Sequence, residues 1–474
     1  MSLHADVLDS YAPLDESLAD TLLEQEISQN NRKIVVLDDD PTGVQTVHDI
    51  SVYTSWTKDS IAQGFAEENK LFYILTNSRG FTASQTEQVH KEIAAAVDEV
   101  SRETGKEYIF ISRSDSTLRG HYPLETTILK EAFEKNTGKP VDGEILCPFF
   151  KEGGRFTIDD VHYVKDGDRL VPAAETEFAR DKTFGYTASD LKEYVEEKTK
   201  GAYRKETVTA ISLKDLREMR LDLIEQQLME VTGFNKIIVN AIDYADIKVF
   251  CIALYRAMAK GKTFLFRTAA AIVRVMGGVS EQPLLTKKQM VVKETDNGGI
   301  IVVGSHTEKT TRQLEMLREN SHIAFVELDA TLVRDEEAFN KEVARCLALE
   351  EEYLKAGTTV CVYTTRALIT ADTGDREDDL RLSVKISDAV QSLVGNLSAV
   401  PAFVIAKGGI TSSDIGTKAL AVQKASVLGQ IKPGIPVWQT GAESKFPLTP
   451  YVIFPGNVGE ISTLKEAAEI LMQK

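Results

Sequence analysis

The sequence is poor in cysteine, and its four residues of that type (Cys147, Cys251, Cys346 and Cys361) form neither a CxxC pair nor a Cys/His cluster. Such scatter argues against a zinc site and a disulfide framework and suits a reducing compartment. Nowhere do about 18 apolar residues run together, so no membrane-spanning helix is expected. The acidic first stretch lacks the basic and apolar regions of a signal peptide, and a cytoplasmic protein is expected. Positive charge is also short. Fifty-five Lys and Arg against 72 Asp and Glu leave a formal net charge of −17, which disfavours nucleic acid as a partner. Small anions stay open as ligands, because a local arginine cluster can oppose the global sign. Neither GxxxxGK[ST] nor GxGxxG occurs, so an ordinary P-loop kinase and an ordinary Rossmann dehydrogenase are both disfavoured.

What is present is a regular alternation. Short β-branched runs stand at 34–37 (IVVL), 72–75 (FYIL), 108–111 (YIFI) and 144–147 (EILC), and Val89, Ile93, Val97 and Val100 recur between them at helical spacing. After a polar stretch at 281–299 the pattern restarts at 300–303, 359–363, 402–406, 435–438 and 451–454. Strands alternating with helices predict an α/β protein of two domains, each with a largely parallel sheet flanked by helices. The expected layout is a helical arm over 1–30, one binding domain over 31–285, a linker over 286–299 and a second binding domain over 300–474. The arm packs either on the body or on a partner subunit, and a homodimer is compatible with the sequence.

Parallel sheets bind ligands at the carboxyl ends of their strands, so the residues just after each apolar run are the candidates. The first run leads into Asp38-Asp39-Asp40-Pro41-Thr42-Gly43. Asp, Pro and Gly would also make a solvated turn; at this place in a sheet the carboxylates read as a general base for a substrate hydroxyl or as a Mg²⁺ ligand set. The second run ends near Arg79. The third ends in Arg113, Ser114, Asp115, Ser116, Thr117, Arg119 and His121. Arginine forks match carboxylates and hydroxyls match a polyol, so these strand ends predict a pocket for a small hydroxylated anion. His121 either touches substrate or caps a helix. After the fourth run, Lys151, Gly153, Gly154 and Arg155 either approach an anion or form a plain loop, with 151–168 read as a loop region. Cys147 is expected to be buried rather than nucleophilic. Arg267 either reaches a cleft between the domains or lies on the surface.

In the second half, Gly304, Ser305 and His306 separate a strand from a helix, where a phosphate can rest on the helix N-terminus. Lys407, Gly408, Gly409, Thr411 and Ser412 offer backbone approach and donors to phosphate oxygens. Pro455, Gly456 and Asn457 form a third such loop.

Taken in order, these motifs resemble the four-carbon acid sugar kinase family from Asn31 onward. The resemblance rests on Asp39 to Gly43, Arg79, Ser114 to Gly120, Gly304-Ser305, Gly408 to Ser412 and Pro455 to Gly459. It implies ATP-dependent phosphorylation of threonate, erythronate or 3-oxo-tetronate at the 4-hydroxyl, in a cleft between the domains. By that resemblance Asp40 or Asp39 is the base, with Asp39, Arg79, Ser114, Asp115, Ser116, Thr117, Arg119 and His121 around the sugar acid. ATP, with Mg²⁺ on its phosphates, then lies along Gly304, Ser305, His306, Lys407, Gly408, Gly409, Thr411, Ser412, Pro455, Gly456 and Asn457. The sequence departs from many members at Asp38, Pro41 and residues 44–48, beside the substrate motifs. Two other readings fit less of the chain. Asp38 and Asp40 also match the nucleophile and acid/base of haloacid-dehalogenase-type phosphatases, and a non-catalytic sugar-acid or nucleotide sensor would use the same two domains.

Overall fold

The β-branched runs become strands, among them Lys33–Asp38, Leu71–Leu75, Tyr108–Arg113 and Gly143–Cys147. The structure is a computed structural model that describes residues 2–293, 295–367, 369, 376–456 and 458–473. The chain divides into two units, one of Met1–Gly43 with Ser55–Glu281 and the other of Val44–Thr54 with Gln282–Lys474.

In the first unit the strands stand in the order 209–211, 235–239, 143–147, 264–268, 108–113, 33–38 and 71–75, all parallel. Every carboxyl end therefore opens on one edge. Helices cover the faces, and each is set by local signals. Helix Ala83–Thr104 starts in a capping box of Thr82 and Gln85, ends at left-handed Gly105, and buries Ile93, Val97 and Val100 on one stripe. Helix Tyr244–Ala259 is buried almost all round, because helix Glu16–Gln29 lies on its outer side. Lys248 pairs there with Glu16 and Asp20 at 3.0 and 2.6 Å, and Arg256 with Glu26 at 2.8 Å. The N-terminal arm thus packs on the body of its own unit. It is not helical throughout, since Leu3–His4 is a short strand.

Residues 151–168 are not a loop. Arg155–Ile158 and Val161–Asp166 pair antiparallel, and Arg169–Pro172 and Leu3–His4 extend them into a separate four-stranded sheet. The turns are two-residue hairpins: Asp159 and Asp160 both take positive φ, and Gly167 does so in the next. The Gly-Asp at 167–168 is a hairpin signal that the reading of a loop passes over.

In the second unit the order is 50–53, 424–432, 435–440, 450–454, 404–407, 300–303, 359–364 and 323–328. The last five strands are parallel. Strand Ile50–Tyr53, drawn from the first half of the chain, pairs antiparallel with Lys424–Lys432. The stretch before residue 300 contributes Leu285 and Met290 to this unit's core, with Val303, Val452, Phe454 and Leu464.

One buried ion pair sits directly across two strands of the first unit. Lys236 faces Glu144 in register, both fully buried, with Nζ 2.6 Å from Oε2 and the Phe234 ring 3.5 Å beyond. Removing one partner leaves a buried charge uncompensated, which costs more than the pair itself contributes. Glu144→Gln should lower unfolding free energy in urea by about 3–5 kcal/mol, and Glu144→Leu with Lys236→Met should recover most of it.

Candidate active site

Three adjacent carboxylates close the first strand, and two arginines from neighbouring strand ends hold them. Asp38 is 1% exposed and pairs with Arg113 Nη1 at 3.0 Å. A Cβ at position 43 would fall on its carboxylate, so Gly43 lets the chain fold back over it. Arg79 clasps Asp39 with two bonds, Nη2 to Oδ1 at 2.6 Å and Nε to Oδ2 at 3.1 Å, and reaches Asp40 Oδ2 at 3.4 Å. Asp40 Oδ1 accepts from the Thr42 amide at 2.9 Å and hydroxyl at 2.6 Å.

The three carboxyls differ in charge for stated reasons. Burial pushes Asp38 up to about 7, with Arg113 opposing and its two acidic neighbours reinforcing the rise. Burial also raises Asp39 against the pull of Arg79. For Asp40 burial is outweighed by Arg79 and the Thr42 bonds, so its carboxyl is held below the usual range. Its side chain is 15% exposed against 2% for Asp39. Asp40 is therefore the most reachable of the three, with its charged form favoured. Asp38, the nucleophile of the phosphatase reading, is the most buried of the three and lies beneath Gly43.

The third strand end is a loop pinned from outside. Four successive carbonyls each receive one side-chain donor at 2.8 Å: Ser116 from His162 Nε2, Thr117 from Tyr186 OH, Leu118 from Tyr194 OH and Arg119 from Arg267 Nη2. The pinning matters because Leu118 holds φ 69°, a conformation costly for a side chain without local polar help. Next to it Gly120 has φ 120°; a Cβ there would stand 2.8 Å from Arg267 Nη2 and 3.3 Å from Asp39 Oδ2. Inside the loop, Asp115 accepts from Arg119 Nε at 2.7 Å and from the Thr117 hydroxyl, and its carboxyl lies well below the usual range, Arg119 and Arg79 overcoming burial.

Asp39, Asp40, Arg79, Ser114, Asp115, Thr117 and Arg119 thus share one edge of the first unit. Ser114 is anchored, its amide donating to Thr268 O at 2.8 Å. Ser116 contributes its pinned carbonyl. His121 Nε2 donates to Phe81 O, 2.9 Å away, with its ring edge-on to Phe184. Arg267 is neither on the surface nor in an open cleft: it is 6% exposed and also donates to Glu125 Oε2 at 3.2 Å. Cys147 is fully buried, which pushes its thiol up to about 12. Reasoning from the sequence placed Arg113 in the anion pocket rather than on Asp38, and gave no role to Tyr186 or Tyr194. Arg113 was readable as the inward last residue of its strand; the tyrosines carry no local signal. Among the described residues no group of three Asp, Glu, His or Cys side chains converges to hold a metal, and the Asp38–Asp40 carboxylates turn to arginines, so these residues do not form a Mg²⁺ cage.

The second unit gathers its glycine loops on one edge too. A Cβ at Gly304 would strike the Thr411 hydroxyl, and Gly408, at φ 121°, lies against Ser305. Lys407 is buried and turned inward: Nζ donates to Pro455 O at 2.6 Å and Gly456 O at 3.1 Å, and burial pushes it down to about 7. Its ammonium ties one loop to the next. Ser305 Oγ accepts from Thr310 Oγ1 at 3.2 Å, His306 Nε2 is 3.2 Å from Thr365 O, and Ser412 Oγ donates to Ala406 O at 2.9 Å. Gly409 and Thr411 lie in the short helix Gly409–Asp414. Arg366, passed over in the sequence although it follows the strand Thr359–Thr364, donates to Ser305 O at 2.6 Å. Asn457 lies outside the described residues.

The chain thus presents one strand edge of arginines, carboxylates and hydroxyls and, in its second unit, an edge of glycine loops. Residues 34–276 match the model of a sugar-binding N-terminal domain, and residues 300–464 that of a nucleotide-binding C-terminal domain. The chain belongs to the family that pairs these two domains, the four-carbon acid sugar kinase family. Its fold is similar to that of the Haemophilus influenzae protein HI1011, of family DUF1537, at 17% identity and TM-score 0.60 over 92% of this chain and 100% of that one. It is similar as well to a Salmonella typhimurium LT2 protein provisionally named a tRNA synthase, at 16% identity and TM-score 0.64 over 92% and 99% of the two chains. No curated protein matches the chain in sequence. No described helix is long and apolar enough to cross a membrane.

His162 ties loop stability to pH. Its Nδ1 accepts from Thr157 Oγ1 at 3.0 Å while Nε2 donates to Ser116, which is the neutral ring, and burial pushes its pKa down from 6.5 to about 4. The folded pKa is depressed, so the unfolded chain takes up the proton first as pH falls. The stability advantage over His162→Gln should be complete above pH 6.5 and shrink as pH falls toward 4, measured as urea midpoints across that range.

Proposed function

We propose that the protein transfers the terminal phosphoryl group of ATP to the 4-hydroxyl of a four-carbon sugar acid such as threonate, erythronate or 3-oxo-tetronate. The observation that carries this reading is Asp40: an ionised, partly accessible carboxylate with Oδ1 held by Thr42 and Oδ2 the less engaged oxygen, among arginines and hydroxyls at a strand end. Asp40 Oδ2 accepts the proton of the attacking hydroxyl as the oxygen–phosphorus bond forms. Arg79, by gripping Asp39, holds the aspartate pair in place and favours the charged form of Asp40. Ser114, Asp115, Thr117 and Arg119 orient the acid's hydroxyls and charge.

Phosphoryl transfer asks a protein chiefly for positioning and for donors to the phosphate oxygens. Loops at Gly304, Gly408 and Gly456 suit that task, because glycine lets backbone amides approach a phosphate. The nucleotide-binding and sugar-binding domain matches support a reaction between those two ligands.

Asp40→Asn should lower kcat by about 10²–10⁴-fold while changing KM for ATP only a few-fold. ADP release is the readout, with ATP, Mg²⁺ and a panel of threonates, erythronates and their 3-oxo forms. Near-full activity of the variant would remove Asp40 from the role of base. Phosphate release from a phosphorylated sugar acid without nucleotide would instead support a phosphatase.

A further inference from the structure

Two cations after the fourth strand, Lys151 and Arg155, have no part in the reaction above, and they sit in different surroundings. Lys151 is exposed and pairs with Asp243 at 2.6 Å. Arg155 opens the first strand of the antiparallel sheet, and its guanidinium carbon lies 5.7 Å from the centre of the Phe178 ring. The Arg119 guanidinium lies 5.0 Å from the same ring, which is 8% exposed.

Two like charges on one buried ring repel, and negative charge near them is scarce. Asp115 is already engaged by Arg119 and Thr117. Asp181 stands 4.0 Å from Arg119 Nη1, and Glu177 is exposed. Arg155 has no ion pair among the described residues, and its Nε is buried without a hydrogen-bond acceptor. Burial lowers its pKa, Asp115 resisting and Arg119 adding to the fall. Arg155 is partly exposed, and a guanidinium whose buried Nε lacks an acceptor gains from meeting an anion; its planar fork fits a carboxylate. The antiparallel sheet also carries His162, which pins the Ser116 carbonyl, so the same inserted strands reach the substrate loop twice.

We propose that Arg155, together with Arg119 on the Phe178 ring, seats the carboxylate of the sugar acid and sets the preference for an acid over a neutral polyol. The identity of the acid rests on the kinase reading; the anion seat does not.

Calorimetric titration without nucleotide, using potassium threonate and erythronate against threitol and erythritol, tests this. Arg155→Ala should weaken acid binding about 100-fold and narrow the gap between acid and polyol, and Arg155→Lys, which keeps the charge but not the fork, should weaken it about 10-fold. In turnover the loss should fall on KM for the acid more than on kcat. Lys151→Ala should leave acid affinity as it is. Wild-type acid affinity in both Arg155 variants would overturn the seat, and so would equal losses for acid and polyol in Arg155→Lys at an unchanged melting temperature. Acid binding without ADP release by the native enzyme would overturn the kinase reading alone. Unchanged KM for the acid in an active Arg155→Ala enzyme would overturn the seat alone.

Discussion

The row of four pinned carbonyls, Ser116 to Arg119, is the constraint on which the first unit's binding edge depends. A leucine in the left-handed region and a glycine at φ 120° do not hold themselves in place. Strain of this kind costs roughly 1–3 kcal/mol per residue. Four buried hydrogen bonds at roughly 0.5–1.5 kcal/mol each are of the size needed to offset it. The donors come from four separate places in the chain: the antiparallel sheet, two tyrosines after it, and the strand Phe264–Thr268. That distribution gives the inserted sheet a reason to exist: it supplies one of the pins and carries Arg155 beside the loop.

With the loop held, charge decides what the edge can do. Arg79 and Arg113 divide the three aspartates between them, and the division is unequal. Arg113 takes the buried Asp38, Arg79 grips Asp39 by two bonds, and Asp40 keeps an oxygen less engaged. Three identical side chains in a row thereby acquire different surroundings and access. In the second unit the comparable element is Lys407, whose inward ammonium joins the ends of two loops through backbone carbonyls.

Much of this was legible in the sequence where local chemistry repeats. The β-branched runs mark the parallel strands, and Asp39, Arg79 and Ser114 to Arg119 can be placed on one edge because each follows such a run. Arg366 follows one too, and the same rule applied to that strand would have found it. Residues 151–168 were misread because short strands with polar faces resemble a loop unless their turns are recognised. Tyr186, Tyr194 and the burial of Arg267 were not legible at all, since nothing near them in the chain states which carbonyl they meet.

The sequence by itself determined the α/β alternation, the two binding units and the clustering of acid, arginine and hydroxyl at strand ends, because these follow from periodicity and from the rule that parallel strands share an edge. Only the tertiary structure decided that Val44–Thr54 joins the second unit, that Asp38 lies beneath Gly43 while Asp40 stays reachable, and that Arg155 and Arg119 meet one ring. The physical reason is that partner choice among distant side chains is set by burial and long-range packing. Neither leaves a mark on neighbouring residues in the chain.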